Sequence, residues 1–540
     1  MSILAKNTPS YVLNLDLETE LFQEHILEKR FEISRKVYNA VLGIAKNRYT
    51  EMTKTKVWRE NQANISEIYK KEKDSDKAKK LCRPYFKIRK ELQEKYGCTE
   101  YSLHDVVKTM QHHYKKNLDS FTCQKIASRV WKALDKLLFG DGEKLHFKKF
   151  SQGLNSLEGK TNDTGIRYKL DTHTLEWNGL IIKVQKKLND FEITALRDKI
   201  KFCRIIRKFV RGKFKYYLQL VLEGIPVLKI DKKTGKVKND IGVGDCGIDI
   251  GTQTVAYATD SEAKLLELAP RVQNIENEKR RLLRYMDRSK RKNNPQNFNK
   301  DGTIKRGIKL EWNFSKRYIK ARNILKDLYR KQADIRRQDH NILANKIISQ
   351  ADTIKVESMN FKGLQKRAKN TTINEKTGRI NKKKRFGKSL ANKAPSMFLT
   401  ILENKLKAKG GLYKEVNTFE VKASQYNHLN REYNKKKLSQ RWNFFEYNKQ
   451  QIKVQRDLYS SFLIKNVMND LKTIDNEKCN NDFEKFLEFH NEEIKRLESK
   501  DNLSSIGVKK IKPQLPTFNV DSNGQYTMFY IIYIKLNIVY

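Results

Sequence analysis

Between Glu20 and Leu138 the chain carries almost no glycine or proline, and its apolar residues recur at helical spacing, as in Ile33, Val37, Val41 and Ile44. Lys, Glu and Arg fill the positions between, so this stretch can only bury its apolar stripe by forming helices that pack together. Its flanks have the opposite period. Ahead of it, Leu13, Leu15 and Leu17 alternate with Asn14 and Asp16, the pattern of a half-buried strand. Behind it, HTLEWNGLIIKVQ sets Asn178-Gly179 between two β-rich runs. KFVRGKFKYYLQLVLEG then turns at Gly212, with Tyr216, Leu218, Leu220 and Leu222 on one face. These runs predict a small antiparallel β barrel or sandwich, which the first strand joins from across the helical insertion.

At 540 residues the chain exceeds one ordinary core and predicts about three or four domains. Lys plus Arg outnumber Asp plus Glu by 112 to 63, a net charge of +49. Such an excess calls for a polyanionic partner, and nucleic acid leads because each cation placed near a phosphate releases condensed counterions. A membrane surface fits less well. MSILAKNTPSYV lacks the charge-then-apolar order of a signal sequence, and no run approaches the ~18 apolar residues of a membrane span. The chain therefore reads as intracellular and soluble. Six scattered cysteines with no C-x-x-C read as reduced and structural.

Further on come a Lys-rich hairpin, DKKTGKVKND, and a charged helical region from Asn274 to Gln350 that reads as a nucleic-acid face. A basic linker spans 365–389. Its FGKS ending is no phosphate loop, because Lys382 stands where that motif needs its first Gly. The tail MFYIIYIKLNIVY is too short to span a bilayer and reads as a packed strand or an appended end. Ser102, His104 and Asp105 are too close in sequence to form a triad, and His112 and His113 face different sides of a helix. Trp177, Tyr216 and Tyr217 have the chemistry to stack on bases, but such residues are more often barrel core.

The stretch GVGDCGIDIGTQTVAYATD contains G-x-G-x-x-G at Gly242, Gly244 and Gly247. A dinucleotide turn must follow a strand and open a helix, whereas these glycines follow polar Lys238, Asn239 and Asp240 and lead into a strand, a turn and a second strand. The carboxylate is then the feature to explain. Asp249 lies between Ile248 and Ile250, and a carboxylate there needs a partner such as a metal ion. A salt bridge or a turn would also satisfy it. Two further carboxylates sit in comparable places: Glu357 ends the β-rich run IKVE, and Asp457 opens a helical segment running on through Phe462, Ile464 and Val467. Three such groups suit the holding of two divalent ions about 3.5–4 Å apart for attack on a phosphodiester.

At these residues the sequence resembles the RuvC-type nuclease of transposon-encoded TnpB proteins and their relatives, the type V CRISPR effectors. GIDIGTQTVAYAT resembles the first RuvC motif, IKVESMNFKGL the second and QRDLYSSFLIKN a variant of the third. RKQADIRRQDHNILANKI and SMFLTILENKLKAKGGLYKEV resemble the elements on either side of the second motif, and KFVRGKFKYYLQLVLEG the last strands of the family's wedge domain. The resemblance implies an α+β multidomain chain: a helical recognition subdomain (20–138) inserted in a β-barrel wedge domain (1–19 and 139–235), followed by an RNase H-like (RuvC) α/β nuclease domain. That domain would hold the first two motifs in 236–411 and the third in 451–470. A cysteine-free remnant of a zinc ribbon would occupy 412–450, and 471–540 would be an extension without a readable role.

The resemblance implies, further, an RNA-guided DNA endonuclease of the prokaryotic cytoplasm, associated with the nucleoid. Its partners would be a guide RNA and double-stranded target DNA. Asp249, Glu357 and Asp457 would be the catalytic residues and the ligands of two Mg²⁺ ions. An RNA-guided DNA-binding protein with a silent nuclease, and an unguided RuvC-like nuclease or transposase, are the alternatives. Two departures stand out. Asn427 and Asn430 occupy the place of the ribbon's first cysteine pair and no cysteine lies between Cys246 and Cys479, so no structural zinc is expected. In the third motif Gln455, Tyr459 and Ser460 replace residues the family often has as Asp, Asn and Ala.

Overall fold

The computed structural model describes residues 8–510 apart from 73, 141, 369, 374, 376, 377, 379–385 and 438, and also the backbone of 519–520 and 526–527. Lys382 and the apolar tail 528–540 lie outside the described residues. The chain divides into two compact units, one reaching to residue 238 with 322–327 added, the other formed by the remainder from 239 on.

In the first unit the alternation near the N-terminus becomes strand β1 (Ser10–Glu18), with Leu13, Leu15 and Leu17 buried. The helical stretch begins with the 34-residue helix Leu21–Lys54, opened by a capping box between Glu20 and Gln23. Five more helices follow up to Leu138. The chain then returns through β2 (Ser156–Glu158), β3 (Arg167–Lys169), β4 (Thr174–Trp177), β5 (Leu180–Val184), β6 (Ile200–Val210) and β7 (Lys213–Glu223). Asn178 and Gly179 both take positive φ, 45° and 76°, as the two-residue turn between β4 and β5 requires. Arg211 and Gly212 repeat the device at 50° and 94°.

The seven strands form one antiparallel sheet in the order β2-β6-β7-β1-β5-β4-β3, so the first strand does enter between strands that follow the helical insertion. The expected barrel is an open half-barrel. Among the described residues, its edge strands β2 and β3, three residues each, pair only inward with β6 and β4. Tyr216, Leu218, Leu220 and Leu222 are buried on one face, as their alternation predicts. Trp177 is buried beneath Arg30, whose guanidinium lies 4.6 Å from the ring centroid and donates to the carbonyls of Trp177 (2.6 Å) and Asn178 (2.8 Å). Trp177 and Tyr216 are therefore core residues and unavailable for stacking on bases. His104 bonds Ser128 at 2.9 Å and Asp105 pairs with Lys108, so no triad forms with Ser102.

The second unit is built on a five-stranded sheet in the order β10-β9-β8-β11-β12. Here β8 is Asp245–Ile250, β9 is Thr254–Ala258, β10 is Ala263–Glu267, β11 is Thr353–Glu357 and β12 is Leu412–Val416. The first three make an antiparallel meander, while β11 and β12 run parallel to β8. A parallel neighbour needs a crossover, and the helix Pro395–Ala408 lies between β11 and β12 in the chain. Ile248, Ile250, Ile354 and Val356 pack on one face with Phe398, Leu402 and Ala344. A second core joins Ala256, Ala258, Leu265 and Val416 to the helices Arg456–Lys465 and Asn476–Glu498. Burial on both faces accounts for β9, whose five residues Thr254–Ala258 are all buried. The charged region after β10 is two α-helices, Val272–Asn293 and Lys316–Ile348, separated by a stretch that holds the short 3-10 helix Pro295–Asn297. No described helix is long and apolar enough to cross a membrane.

Candidate functional site

The register of the second sheet brings the first two carboxylates side by side. Val356 pairs with Ile248, so Glu357 and Asp249 follow at the same level on neighbouring parallel strands. Pleating turns them away from the face of Ile248 and Val356, toward the helix Arg456–Lys465. Gly247 stands on that same face. A Cβ there would overlap the Ser461 carbonyl and the Lys465 amide, so glycine permits the helix to lie against β8. This packing, and not phosphate binding, accounts for the third glycine of the G-x-G-x-x-G stretch.

The helix that brings Asp457 is held at both ends. Gln455 caps its N-terminus, accepting from the Leu458 amide at 2.8 Å and donating through its amide nitrogen to the Ile506 carbonyl at 3.1 Å. At the other end the Lys355 ammonium donates to the carbonyls of Lys465 (2.9 Å) and Val467 (2.6 Å). Lys465 itself pairs with Asp260 at 2.6 Å and Asp482 at 2.9 Å. Asp457 occupies the helix's first turn, where the dipole favours a negative charge.

Asp249, Glu357 and Asp457 line one cavity of about 430 Å³. Burial, followed by the negative charges of Glu357 and Asp457, holds the Asp249 carboxyl well above the usual carboxylate range. Burial and the charge of Asp457 raise Glu357 as well. Ser460 lies close enough to favour the charged form of Asp249, although its hydroxyl meets no partner at hydrogen-bond geometry. The lining is also basic: Lys435, Lys436, Arg441 and Arg456 border the same cavity. None of these four roles is visible in local sequence, apart from the adjacency of Arg456 and Asp457.

The three carboxylates differ in their partners. Asp457 is engaged by Arg456, whose Nε and Nη2 reach its Oδ1 at 3.0 and 2.9 Å, and by Arg441 at 3.6 Å from Oδ2. Among the described residues, Asp249 and Glu357 have no ion pair. Asp249 and Glu357, enclosed and without a cation, share the cavity with Asp457, and all three are hard oxygen donors of the type that divalent ions take. As the side chains stand, no group of three His, Cys, Asp or Glu among the described residues is gathered to hold a metal.

In the stretch where the resemblance would place zinc ligands, Asn427 accepts from the Leu429 amide at 3.1 Å and Asn430 from the Glu432 amide at 3.2 Å, so both close local turns. His428 is buried against Phe462 and Phe483, with Nδ1 at 2.6 Å from the Tyr459 hydroxyl, and burial lowers its pKa to about 4. The six cysteines are buried free thiols.

No family model matches the chain, and no curated protein matches it. Solved structures do. The chain is similar, at 12% identity and a TM-score of 0.41, to one described as a Cas12f1-sgRNA-target DNA complex, with 85% of this chain and 99% of that chain covered. A second, described as a CRISPR-Cas12f ternary complex, is 14% identical with a TM-score of 0.23, covering 81% of this chain and 82% of the other. Overlaps this loose leave the fold to be read from the strand order itself.

Proposed function

We propose that this chain is a metal-dependent endodeoxyribonuclease of the RuvC type, guided to double-stranded DNA by a bound RNA. The observation that carries the reading is the meeting of Asp249, Glu357 and Asp457, from two strands and a helix far apart in sequence, in one cavity with a basic wall. The meander followed by parallel strands is the sheet expected of an RNase H-like domain. Asp249, Glu357 and Asp457 would hold Mg²⁺, which when bound supplies an activated water and stabilises the leaving oxygen. Lys435, Lys436, Arg441 and Arg456 offer cationic hydrogen-bond donors to the phosphodiester and neutralise its charge beside the carboxylates. The net charge of +49 suits long polyanions held by their backbones, leaving sequence to base pairing.

One observation favours a second reading, a guided DNA-binding protein with a silent nuclease: Asp457 already has arginine partners. The same experiment separates the two. The protein is expressed with its flanking DNA, the copurifying RNA is sequenced, and a matching target is offered with Mg²⁺. Cutting by wild type, lost in Asp249→Ala with RNA and DNA binding retained, is the expected result. Binding without cutting by wild type establishes the silent reading, and undiminished cutting by Asp249→Ala refutes the site.

A further inference from the structure

Glu357 and Met359 line two cavities, the one described above and a second of about 500 Å³. The two differ sharply in chemistry. The first has four basic side chains in its wall, whereas the second, among its described lining residues, has none and carries Glu403 and Glu415 beside the rings of Phe361, Tyr413 and Phe419. Phosphate is repelled from such a wall, while an aromatic ring with nearby carboxylate and hydroxyl acceptors suits a flat heterocycle bearing amino groups.

Phe419 is 87% exposed, so it serves no core. Its backbone is nevertheless held in place. Asn417 accepts from the Phe419 amide at 3.1 Å, and Thr418 donates to the Ser358 carbonyl at 3.0 Å, tying the turn to the residue after Glu357. The Ser358 and Thr418 hydroxyls also meet at 2.9 Å. An apolar ring carried into solvent on a hydrogen-bonded turn at the rim of a cavity offers a free face to a partner that stacks.

We infer that the second cavity is a nucleobase subsite: a base of a single-stranded DNA segment stacks on Phe419 while the adjoining phosphate lies in the basic cavity by Glu357. This rests on the nuclease reading for the identity of the strand and extends it to how the strand is seated. A single strand is required because a paired, stacked base has no free face to offer the ring.

The test uses the full-length protein and short single-stranded DNAs carrying 2-aminopurine at successive positions, at moderate salt so that nonspecific charge contacts are weakened. Wild type is expected to quench the probe at one position. Phe419→Ala should abolish that quenching and weaken binding roughly five- to hundredfold, Phe419→Trp should restore both, and thermal melting should be unchanged because the ring is exposed. Equal quenching and affinity in wild type and Phe419→Ala overturn the subsite. Failure of the nuclease reading has a different appearance: no cutting by wild type, with the position-specific quenching and its loss in Phe419→Ala intact.

Discussion

Arg456→Gln probes what holds the carboxylate site together. The Arg456 and Asp457 side chains are 12% and 14% exposed, and their 2.9 Å contact is little screened by solvent. Removing one partner of a buried pair costs about 3–5 kcal/mol, because the other charge stays buried and uncompensated. Here Arg441, at 3.6 Å from the other oxygen, keeps part of the compensation, so a loss near the lower end, about 2–3 kcal/mol, is expected. For a domain of this size that is a fall in melting temperature of roughly 4–10 °C. Magnesium should then stabilise the variant more than wild type. In the variant three carboxylates face the cavity with less cationic competition, and saturating a site a hundredfold above its Kd returns about 2.7 kcal/mol. In wild type the ion competes with Arg456 and stabilises less. Differential scanning fluorimetry with and without Mg²⁺ reads both effects. A variant that melts with wild type in the absence of the ion, or equal shifts on adding it, refutes the reasoning.

Asp249→Asn tests the electrostatics from the other side. The carboxyl's pKa is raised in the folded state by burial and by Glu357 and Asp457, so its contribution to stability is full below the unfolded value and is lost as pH rises through the folded one. Without metal, the variant should therefore melt above wild type at pH 8, with the difference closing toward about pH 4; a variant that melts lower at pH 8 sinks the argument. Gly247→Ala places a methyl group against backbone atoms of the helix carrying Asp457. Since backbone cannot rotate away, a loss of about 1–3 kcal/mol or more and a fall in melting temperature are expected, and an unchanged melt would show that the helix does not pack as described.

Much of the fold was legible because its signals are local. Helical spacing from Glu20 to Leu138, alternation in β1 and positive-φ turns at Asn178-Gly179 and Arg211-Gly212 each depend on a few neighbouring residues. The candidate carboxylates were legible for a related reason: Asp249 interrupts an apolar strand, and a charge in such a place needs an explanation. The half-barrel's openness was not legible, since it depends on which short edge strands find a partner. Nor were the roles of Asn427, Asn430 and Gln455. As residue types they mark departures from a family pattern, and only their hydrogen bonds show them closing turns and capping a helix.

Local signals were enough for the kinds of element, their order, the excess of positive charge and three candidate carboxylates, of which Asp457 alone has a cation next to it in the chain, Arg456. The tertiary structure alone decided what those carboxylates face. Register set Glu357 beside Asp249, the missing side chain of Gly247 let the helix bring Asp457 close, and the chain's return set Arg441 beside it. It also divided the surroundings of Glu357 into a basic cavity and an aromatic, acidic one. Such relations join residues from 16 positions apart, as with Arg441 and Asp457, to more than two hundred, as with Gly247 and Ser461. Periodicity and turn chemistry act over a few residues and carry no record of them, whereas strand register and close helix packing fix them.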